Sequence, residues 1–211
     1  MVRDVWPYLT AGLLLAALLA LTGFTTAALA AAALTAGVAA FFRDPHRDVP
    51  SNPRLILSPA DGKVVEISGG PQDWPEGARC VSIFLSVFDV HVNRSPVSGA
   101  ISQILYTPGS FVPAFRHKAS LENEQNLISI ETGRGTLGVK QIAGLIARRI
   151  RCWKRPGEPV RQGERIGFIT FGSRVDLLLP PEIDLKVSVG DRVKGGTSVM
   201  AVYRDPKVAG A

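Results

Sequence analysis

Cysteine is scarce in this chain of 211 residues, which contains only Cys80 and Cys152. Two cysteines are too few for a disulfide framework, and their wide separation excludes the CxxC spacing of zinc and redox motifs. We therefore expect two reduced thiols and no metal site. The features of a disordered chain are also lacking, because hydrophobic residues make up 46% of the sequence and the mean hydropathy is +0.17. These values are high for a soluble enzyme and indicate a membrane-associated part.

Acidic residues are the minority among the charged ones, since 18 Asp and Glu stand against 24 Lys and Arg and the net charge is +6. This balance favours an anionic partner, either lipid headgroups or nucleic acid. Charges before residue 43 cancel, so residues 43–211 carry the whole excess. A basic run around Trp153 suits an anionic membrane surface and consists of Arg148, Arg149, Arg151, Lys154, Arg155, Arg161 and Arg165. No RNA-binding or DNA-binding motif is present, so we predict no nucleic-acid partner.

Charge is absent altogether from residues 5–42, a run of 38 residues. As one helix this run would measure roughly 57 Å, nearly twice the ~30 Å of a bilayer's hydrocarbon core. Two helices of about 18 residues fit that core. The break is expected at residues 23–26 (GFTT), where a glycine and two threonines interrupt the Leu and Ala runs. Residues 1–42 therefore predict a membrane-anchoring helical hairpin, either transmembrane or membrane-embedded.

The two ends of this hydrophobic segment indicate its orientation. Arg3, Trp6 and Tyr8 at one end, and residues 41–43 at the other, are the basic and aromatic residues typical of a cytoplasmic interface. We therefore expect a protein of the cell membrane with its active domain on the cytoplasmic side. A cleaved signal peptide is the main alternative, because residues 28–30 (ALA) match a cleavage pattern; against it, the apolar run is longer than an ordinary h-region.

The rest of the chain has the pattern of a β protein. Residues 43–54 (RDPHRDVPSNPR) contain three prolines and indicate an extended linker. Residues 55–211 form one predicted domain, in which Gly, Pro, Asn and Asp turns separate short apolar or alternating runs. Strands are predicted at 63–67, 81–87, 101–106, 127–131, 137–147, 166–171, 175–179 and 199–203, with one short helix at 119–125.

A weak repeat refines this fold prediction. Residues 160–166 and 187–193 share the pattern V-x-x-G-[ED]-R-[IV]. Each copy places a glycine where a tight turn needs a positive φ, as in the flattened β-barrels of biotinyl and lipoyl carriers. No carrier lysine in an MKM-like tip is present. We therefore predict a mainly β domain, a flattened barrel or sandwich, without carrier function.

Three segments place reactive side chains among glycines and prolines. They are residues 58–63 (SPADGK), 88–96 (FDVHVNRSP) and 171–176 (FGSRVD). Taken singly, each has an ordinary structural explanation, namely a turn at Asp61, a buried core histidine at His91 and a Gly-Ser turn at Ser173. Taken together, they could supply a nucleophile, a base and a carboxylate that orients the base.

The combination resembles the phosphatidylserine decarboxylase family, in its short, membrane-anchored (archaeal-type) form. The likeness runs through SPADG and FDVHVNRSP and continues through motifs within residues 109–124, 141–150 and 163–176. An apolar N-terminal segment also stands where the short members of the family have one. These ordered motifs make the likeness specific.

The resemblance implies that the Gly172–Ser173 bond is cleaved by the chain itself. The Ser173 hydroxyl would attack the Gly172 carbonyl, with His91 as the base and Asp61 orienting it. The products would be a large chain, 1–172, and a small chain, 173–211, joined as an obligate heterodimer. The small chain would begin with a pyruvoyl group derived from Ser173, and no metal is implied. Its ketone would form a Schiff base with the phosphatidylserine amine and accept the electrons freed when CO2 leaves, so that phosphatidylethanolamine is made for phospholipid biosynthesis.

Several roles remain open at this point. Long members of the family have a second histidine where this chain has Arg94, so His91 serves processing, decarboxylation or both, and His117 is another candidate. Cations would suit the lipid phosphate or carboxylate, and the candidate substrate contacts are Arg94, Lys118, Asn123 and Glu124. A solvated loop is the alternative for these residues. A homo-oligomer also stays open.

Two other functions compete with the decarboxylase. A serine hydrolase would keep Ser173 intact, although its surroundings lack the G-x-S-x-G elbow. A non-catalytic, membrane-anchored β domain that binds anionic lipid would need neither Ser173 nor cleavage.

Overall fold

The computed structural model describes residues 2, 5–110, 123–144, 149–170 and 172–204. The chain divides into two compact units, Met1–His46 and Arg47–Ala211. The first unit contains two helices, and the second contains fourteen strands in the residues described.

The helical unit consists of α1 (Trp6–Leu21) and α2 (Thr25–Phe41). Proline stands in the first turn of α1, where its missing N–H costs nothing. The helices are separated at Gly23, whose φ of +84° ends α1 in the left-handed region, and this break lies where the sequence predicts it. The helices approach closely at Gly12, because a Cβ there would lie 2.2 Å from the hydroxyl oxygen of Thr35.

The two helices are short and apolar, with 16 and 17 residues. Among the residues that the structure describes, no helix combines the length and hydropathy that crossing a membrane requires. The anchoring hairpin therefore stays a prediction.

The second unit, called the β unit below, confirms the prediction of a mainly β chain. Its strands are β1 (Leu55–Leu57), β2 (Gly62–Gly69), β3 (Arg79–Leu85), β4 (Val92–Arg94), β5 (Gly99–Thr107), β6 (Gln125–Thr132), β7 (Gly135–Ile142), β8 (Ile150–Cys152), β9 (Pro159–Val160), β10 (Arg165–Ile169), β11 (Ser173–Leu179), β12 (Ile183–Leu185), β13 (Arg192–Val193) and β14 (Val199–Tyr203).

The described strands form one large and two small sheets. The large sheet is curled and has the order β13-β2-β3-β11-β7-β6-β5-β9, and the small sheets have the orders β1-β14-β12 and β4-β10-β8. All pairs between these strands are antiparallel. The predicted glycine turns are confirmed, since Gly163 has a φ of +75° and Gly190 has a φ of +104°.

Strand β11 lies at the centre of the large sheet, between β3 and β7, and all seven of its residues are buried. Side chains alternate between the two faces of a strand. Val175, Leu177 and Leu179 therefore share the face that packs in the hydrophobic core, called the inner face below. Arg174 and Asp176 lie on the opposite face.

The prediction of a helix at 119–125 is wrong for its described end. Residues 119–122 lie outside the described residues, Asn123 forms a bridge with Ser110, and Gln125 begins strand β6. The backbone of Glu124 donates to the Ser110 carbonyl, and its own carbonyl accepts from Ala143. Pairing with β5 and β7 thus overrides the local helical pattern.

Candidate active site

One row of paired residues brings the separate motifs to the same end of the large sheet. The row crosses five strands and consists of Lys63, Phe84, Arg174, Ile142 and Gln125. Each of these residues lies in the first two or the last two positions of its strand. The segments just beyond the row therefore meet at this end, and they contain Asp61, the connection 86–91, Gly172, Ala143 and Glu124.

Ser173 begins β11, opposite Leu85 of β3. It is two residues from Val175, so its side chain lies on the inner face of the sheet. The residue is fully buried, and its Oγ has no hydrogen-bond partner among the described residues. A buried hydroxyl without a partner is unusual, because buried polar groups are normally hydrogen-bonded.

Gly172 precedes this serine with a φ of +61°, in the left-handed region that favours glycine. A Cβ at this position would meet no atom within 4 Å. The backbone conformation, rather than lack of space, therefore makes glycine suitable here. Phe171, which precedes it, lies outside the described residues.

His91 is fully buried and lies directly before β4. Its carbonyl accepts a hydrogen bond from the Ile169 N–H at 3.3 Å, at the end of β10. From Ile169 the chain continues to Gly172 and Ser173. The small sheet thus ties His91 to the strand that leads to the predicted cleavage bond.

The histidine ring is oriented by a backbone group. His91 Nδ1 lies 2.9 Å from the carbonyl oxygen of Asp89, which can only accept a hydrogen bond. In the neutral ring the proton is therefore on Nδ1, and Nε2 carries the lone pair. The Asp89 carboxylate has other partners, because it accepts from the backbone and hydroxyl of Ser86 and from Arg192.

Asp61 lies at the same end of the sheet but is held by different groups. Its carboxylate accepts from Arg47 Nη2 at 2.8 and 2.9 Å and from the backbone N–H of Gly195 at 2.8 Å. The side chains of this ion pair are only 10% and 14% exposed. The sequence analysis did not identify Arg47 or the Asp89 carbonyl as partners of the site residues. The Asp89 carbonyl could have been predicted, because Asp89 stands only two residues before His91.

The candidate substrate contacts have separate hydrogen-bond partners. Arg94 is buried and donates through Nη1 to the Gly163 carbonyl at 3.0 Å, so it anchors the turn at Gly163. Asn123 is buried and donates to the Ala143 carbonyl at 2.6 Å. The Glu124 carboxylate accepts a hydrogen bond from the Tyr106 phenol. Partial desolvation, and secondly this carboxylate, raise the pKa of Tyr106. Lys118 and His117 lie outside the described residues.

The basic run is largely exposed where it is described. Arg149, Arg151, Arg155, Arg161 and Arg165 are exposed, as is Trp153. Lys154 instead pairs with Glu164. Burial would raise the pKa of Glu164, but the hydrogen bonds from Lys154 and the Arg161 backbone outweigh burial and lower it. Arg148 lies outside the described residues.

A buried ionic network lies on the outer face of the sheet, next to Ser173. Arg174 donates to Asp176 at 2.6 Å and to the Ser82 hydroxyl at 2.6 Å, with Glu66 at 3.4 Å. Burial would lower the pKa of Arg174, but its pairing with the two carboxylates raises it. Burial, and secondly the Asp176 carboxylate, raises the pKa of Cys80 to about 12.

Both cysteines are free thiols, as the sequence predicts. Within the described part of the chain, no group of three or more His, Cys, Asp and Glu side chains is arranged to hold a metal ion.

Comparison with known proteins identifies relatives over nearly the whole chain. A sequence profile of the family described as phosphatidylserine decarboxylase matches residues 34–201. The chain is 45% identical over 202 residues to the phosphatidylserine decarboxylase proenzyme of Burkholderia vietnamiensis (strain G4 / LMG 22486), covering 94% of each chain. The proenzymes of the same name from Burkholderia lata and Burkholderia cenocepacia are 43% and 44% identical over 201 residues, again covering 94% of each chain.

Proposed function

The chain belongs to the phosphatidylserine decarboxylase family, and we propose that it converts phosphatidylserine to phosphatidylethanolamine and CO2 with a pyruvoyl group made from its own Ser173. The observation that carries this proposal is the state of Ser173. Its hydroxyl is fully buried without a partner among the described residues, and it directly follows a glycine in the left-handed conformation. A serine placed for structure alone would be expected to have a hydrogen-bond partner.

The first step is an intramolecular acyl shift. The Ser173 hydroxyl attacks the Gly172 carbonyl carbon, and His91 accepts the hydroxyl proton at Nε2. The bond between Gly172 and the Ser173 nitrogen breaks, and that nitrogen takes up a proton, so that the amide becomes an ester. The Asp89 carbonyl supports this role for His91, because it holds the proton on Nδ1.

The second step makes the cofactor. A base takes up the Ser173 Cα proton, and the electrons of that bond form the double bond between Cα and Cβ. The bond between Cβ and Oγ breaks, and Gly172 leaves as the carboxylate end of chain 1–172. The dehydroalanine that remains takes up water and releases ammonia, which leaves a pyruvoyl group at the start of chain 173–211. The buried inner-face position of Ser173 fits a group of this small size. Once formed, its ketone supplies the electron sink for decarboxylation.

The pairing of β11 supports a stable two-chain enzyme. After cleavage, residues 173–211 would supply β11, β12, β13 and β14, and β11 would remain between β3 and β7 of the large chain. This strand is buried along its whole length. We therefore propose that the two chains form an obligate heterodimer.

Asp61 and His91 are the further proposed catalytic residues. Asp61 shares the end of the sheet with His91 and Ser173, and its negative charge would stabilise the protonated imidazole. His91 would also return a proton to the product carbon after CO2 leaves. We propose Lys118, Asn123, Glu124 and Arg94 as substrate contacts, of which Arg94 acts through the turn that it anchors.

An anionic membrane surface is the proposed partner of the β unit. The exposed arginines around Trp153 would attract acidic headgroups by up to ~1 kcal/mol per charge. The helical hairpin would keep the enzyme at the cell membrane, with the β unit on the cytoplasmic side. The enzyme would then bind a phospholipid substrate that stays in the bilayer.

A decarboxylation assay tests the proposal. Detergent-solubilised enzyme is given phosphatidylserine labelled in the serine carboxyl group, and the released CO2 is counted for wild type, Ser173→Ala and Ser129→Ala. Ser129 is a buried serine on β6 and serves as the matched control. We expect release by wild type and by Ser129→Ala and none by Ser173→Ala. Equal release by all three proteins would overturn the proposal, and ester or amide hydrolysis lost with Ser173 would favour the serine hydrolase.

A further inference from the structure

Three buried amide side chains form a hydrogen-bonded line between the large sheet and the small sheet β4-β10-β8. Asn126 Nδ2 donates to Gln141 Oε1 at 3.0 Å, and Gln141 Nε2 donates to Asn93 Oδ1 at 2.8 Å. All three residues are buried, and Asn93 and Gln141 are completely so. We call these residues the amide line.

The register of both sheets explains how the amide line is built. In the large sheet Asn126 is paired with Gln141, and Gln141 with Val175, so all three side chains lie on the inner face. In the small sheet Asn93 is paired with Gly167. A Cβ on Gly167 would lie 2.7 Å from Gln141 Nε2. Glycine therefore leaves the space in which the Gln141 amide reaches Asn93.

The direction of the hydrogen bonds is consistent from one end to the other. At the Asn126 end, the amide nitrogen Nδ2 donates to Gln141 Oε1. Each following oxygen accepts from the amide before it, since Gln141 Nε2 donates in turn to Asn93 Oδ1. The last donor of the line is Asn93 Nδ2. It is buried and has no hydrogen-bond partner among the described residues.

The register of the two sheets relates this last donor, Asn93 Nδ2, to His91 and to Ser173. Asn93 is two residues from His91, the spacing that places side chains on one face of an extended segment. Its partner Gly167 is two residues from Ile169, which bonds to the His91 carbonyl. On the large sheet, Ser173 is the next inner-face residue beyond Val175, the neighbour of Gln141. A hydroxyl and an amide donor that lack hydrogen-bond partners among the described residues are therefore buried at the same end of the core.

We propose that Asn93 Nδ2 donates a hydrogen bond to the Gly172 oxygen when Ser173 attacks, with Gln141 and Asn126 as positioning residues. This inference rests on the proposed self-cleavage. As the bond from Oγ to the Gly172 carbon forms, the carbonyl π electrons move onto oxygen and the hydroxyl proton moves to His91. A fixed amide donor stabilises that negative oxygen more than the neutral carbonyl, and a buried donor needs no reorientation.

Newly synthesised proenzyme provides the test. The chain is made by cell-free translation, and the fraction cleaved is followed on denaturing gels for wild type, Asn93→Ala, Asn93→Asp and the control Ser129→Ala. Removing one oxyanion donor slows catalysis by about 10²–10³-fold in well-studied enzymes, and we expect a loss of that order in both Asn93 variants. Cleavage of either folded Asn93 variant at the wild-type rate would overturn the proposal.

Hydroxylamine separates this role from a merely structural one. It cleaves an ester but leaves the amide intact, so it would release the fragments of a variant that is blocked at elimination. We expect no acceleration in the Asn93 variants, because ester formation is itself the slowed step. Rapid cleavage by hydroxylamine would contradict a role in ester formation. Folding is checked by the melting temperature of Asn93→Ala in a Ser173→Ala background, where no chain is cleaved.

A double-mutant cycle tests the positioning role. Because Gln141 acts through Asn93, Gln141→Leu is expected to slow cleavage, while Asn93→Ala/Gln141→Leu cleaves as slowly as Asn93→Ala alone. If the double variant is slowed by the product of the two single effects, Gln141 acts independently of Asn93. That result would contradict the positioning role of Gln141. If wild type is not cleaved between Gly172 and Ser173, the proposed function itself fails; if wild type is cleaved and the Asn93 variants match it, only this inference fails.

Discussion

The Nδ1 atom of His91 lies 2.9 Å from the carbonyl oxygen of Asp89, two residues earlier in the chain. This contact places the ring proton on Nδ1 and leaves Nε2 as the basic nitrogen. Because the carbonyl belongs to the backbone, substitution of the Asp89 side chain does not remove it.

Replacing His91 by glutamine is expected to stop self-cleavage, because an amide cannot accept the Ser173 proton. Asp89→Asn is the matched comparison, since it keeps the backbone carbonyl and an oxygen that can accept from Ser86, and it loses the ion pair with Arg192. We expect cleavage to be lost in the first variant and to stay within a few-fold of wild type in the second. The measurement is the cleaved fraction of newly made chain over time, and normal cleavage by His91→Gln would exclude this base.

Asp61 is expected to contribute more to cleavage than its ion pair with Arg47 does. Asp61→Asn and Arg47→Met both remove that pair, but only the first removes the carboxylate charge that we propose stabilises protonated His91. We expect Asp61→Asn to slow cleavage at least tenfold more than Arg47→Met. Equal cleavage rates in the two variants would show that Asp61 serves to hold the segment around Arg47 rather than to assist His91.

The ionic network beside Ser173 is expected to be important for stability. Asp176→Asn leaves the buried Arg174 guanidinium without its closest charge partner, and breaking a buried pair in this way costs about 3–5 kcal/mol. Glu66→Gln removes the longer contact of 3.4 Å and should cost less than ~1 kcal/mol. Urea unfolding of both variants in a Ser173→Ala background measures the difference. Similar losses of unfolding free energy in the two variants would contradict the larger role of Asp176.

Stability is expected to fall at alkaline pH because of Cys80. Its pKa is raised to about 12 in the folded chain, whereas an unfolded thiol titrates near ~8.5. The contribution is fully present below the unfolded value and is lost as the pH rises towards 12. Unfolding free energies of Ser173→Ala should therefore fall more steeply over this range than those of Cys80→Ser/Ser173→Ala, by up to ~1.4 kcal/mol per pH unit. Parallel curves would be incompatible with a titrating Cys80.

The helical hairpin is expected to hold the full chain in the membrane. Leu14 and Leu34 are each 72% exposed on the helices, where an anchor would meet lipid. We expect wild type to stay in the membrane pellet after alkaline carbonate extraction and Leu14→Lys/Leu34→Lys to be released. Thr22→Lys, at the turn between the helices, is the control and should stay in the pellet. Release of wild type would contradict the anchor.

Local patterns predict much of this fold. The break at Gly23 and the turns at Gly163 and Gly190 follow from glycines that can adopt positive φ. The alternating and apolar runs predict most strands of the large sheet, because at least one face of a strand is buried in the core. The helix predicted near residue 123 fails since pairing with β7 provides hydrogen bonds that a short helical pattern cannot match.

The contacts that make the site are less visible in the sequence. Asn93 and Gln141 are 48 residues apart, and their hydrogen bond depends on the register of two sheets and on the missing side chain at Gly167. Arg47 stands 14 residues before Asp61, in a segment read only as a linker. Ser173, His91 and Asp61 could be selected as reactive residues, but their partners depend on strand order, which no local motif encodes.

The intact mass, under denaturing conditions, of protein purified from membranes shows directly whether Ser173 becomes a pyruvoyl group. We expect two chains, residues 1–172 and 173–211, with the small chain lighter by one ammonia than a peptide that begins with Ser173. A single uncut chain of 22.6 kDa from a preparation that decarboxylates phosphatidylserine would contradict this expectation.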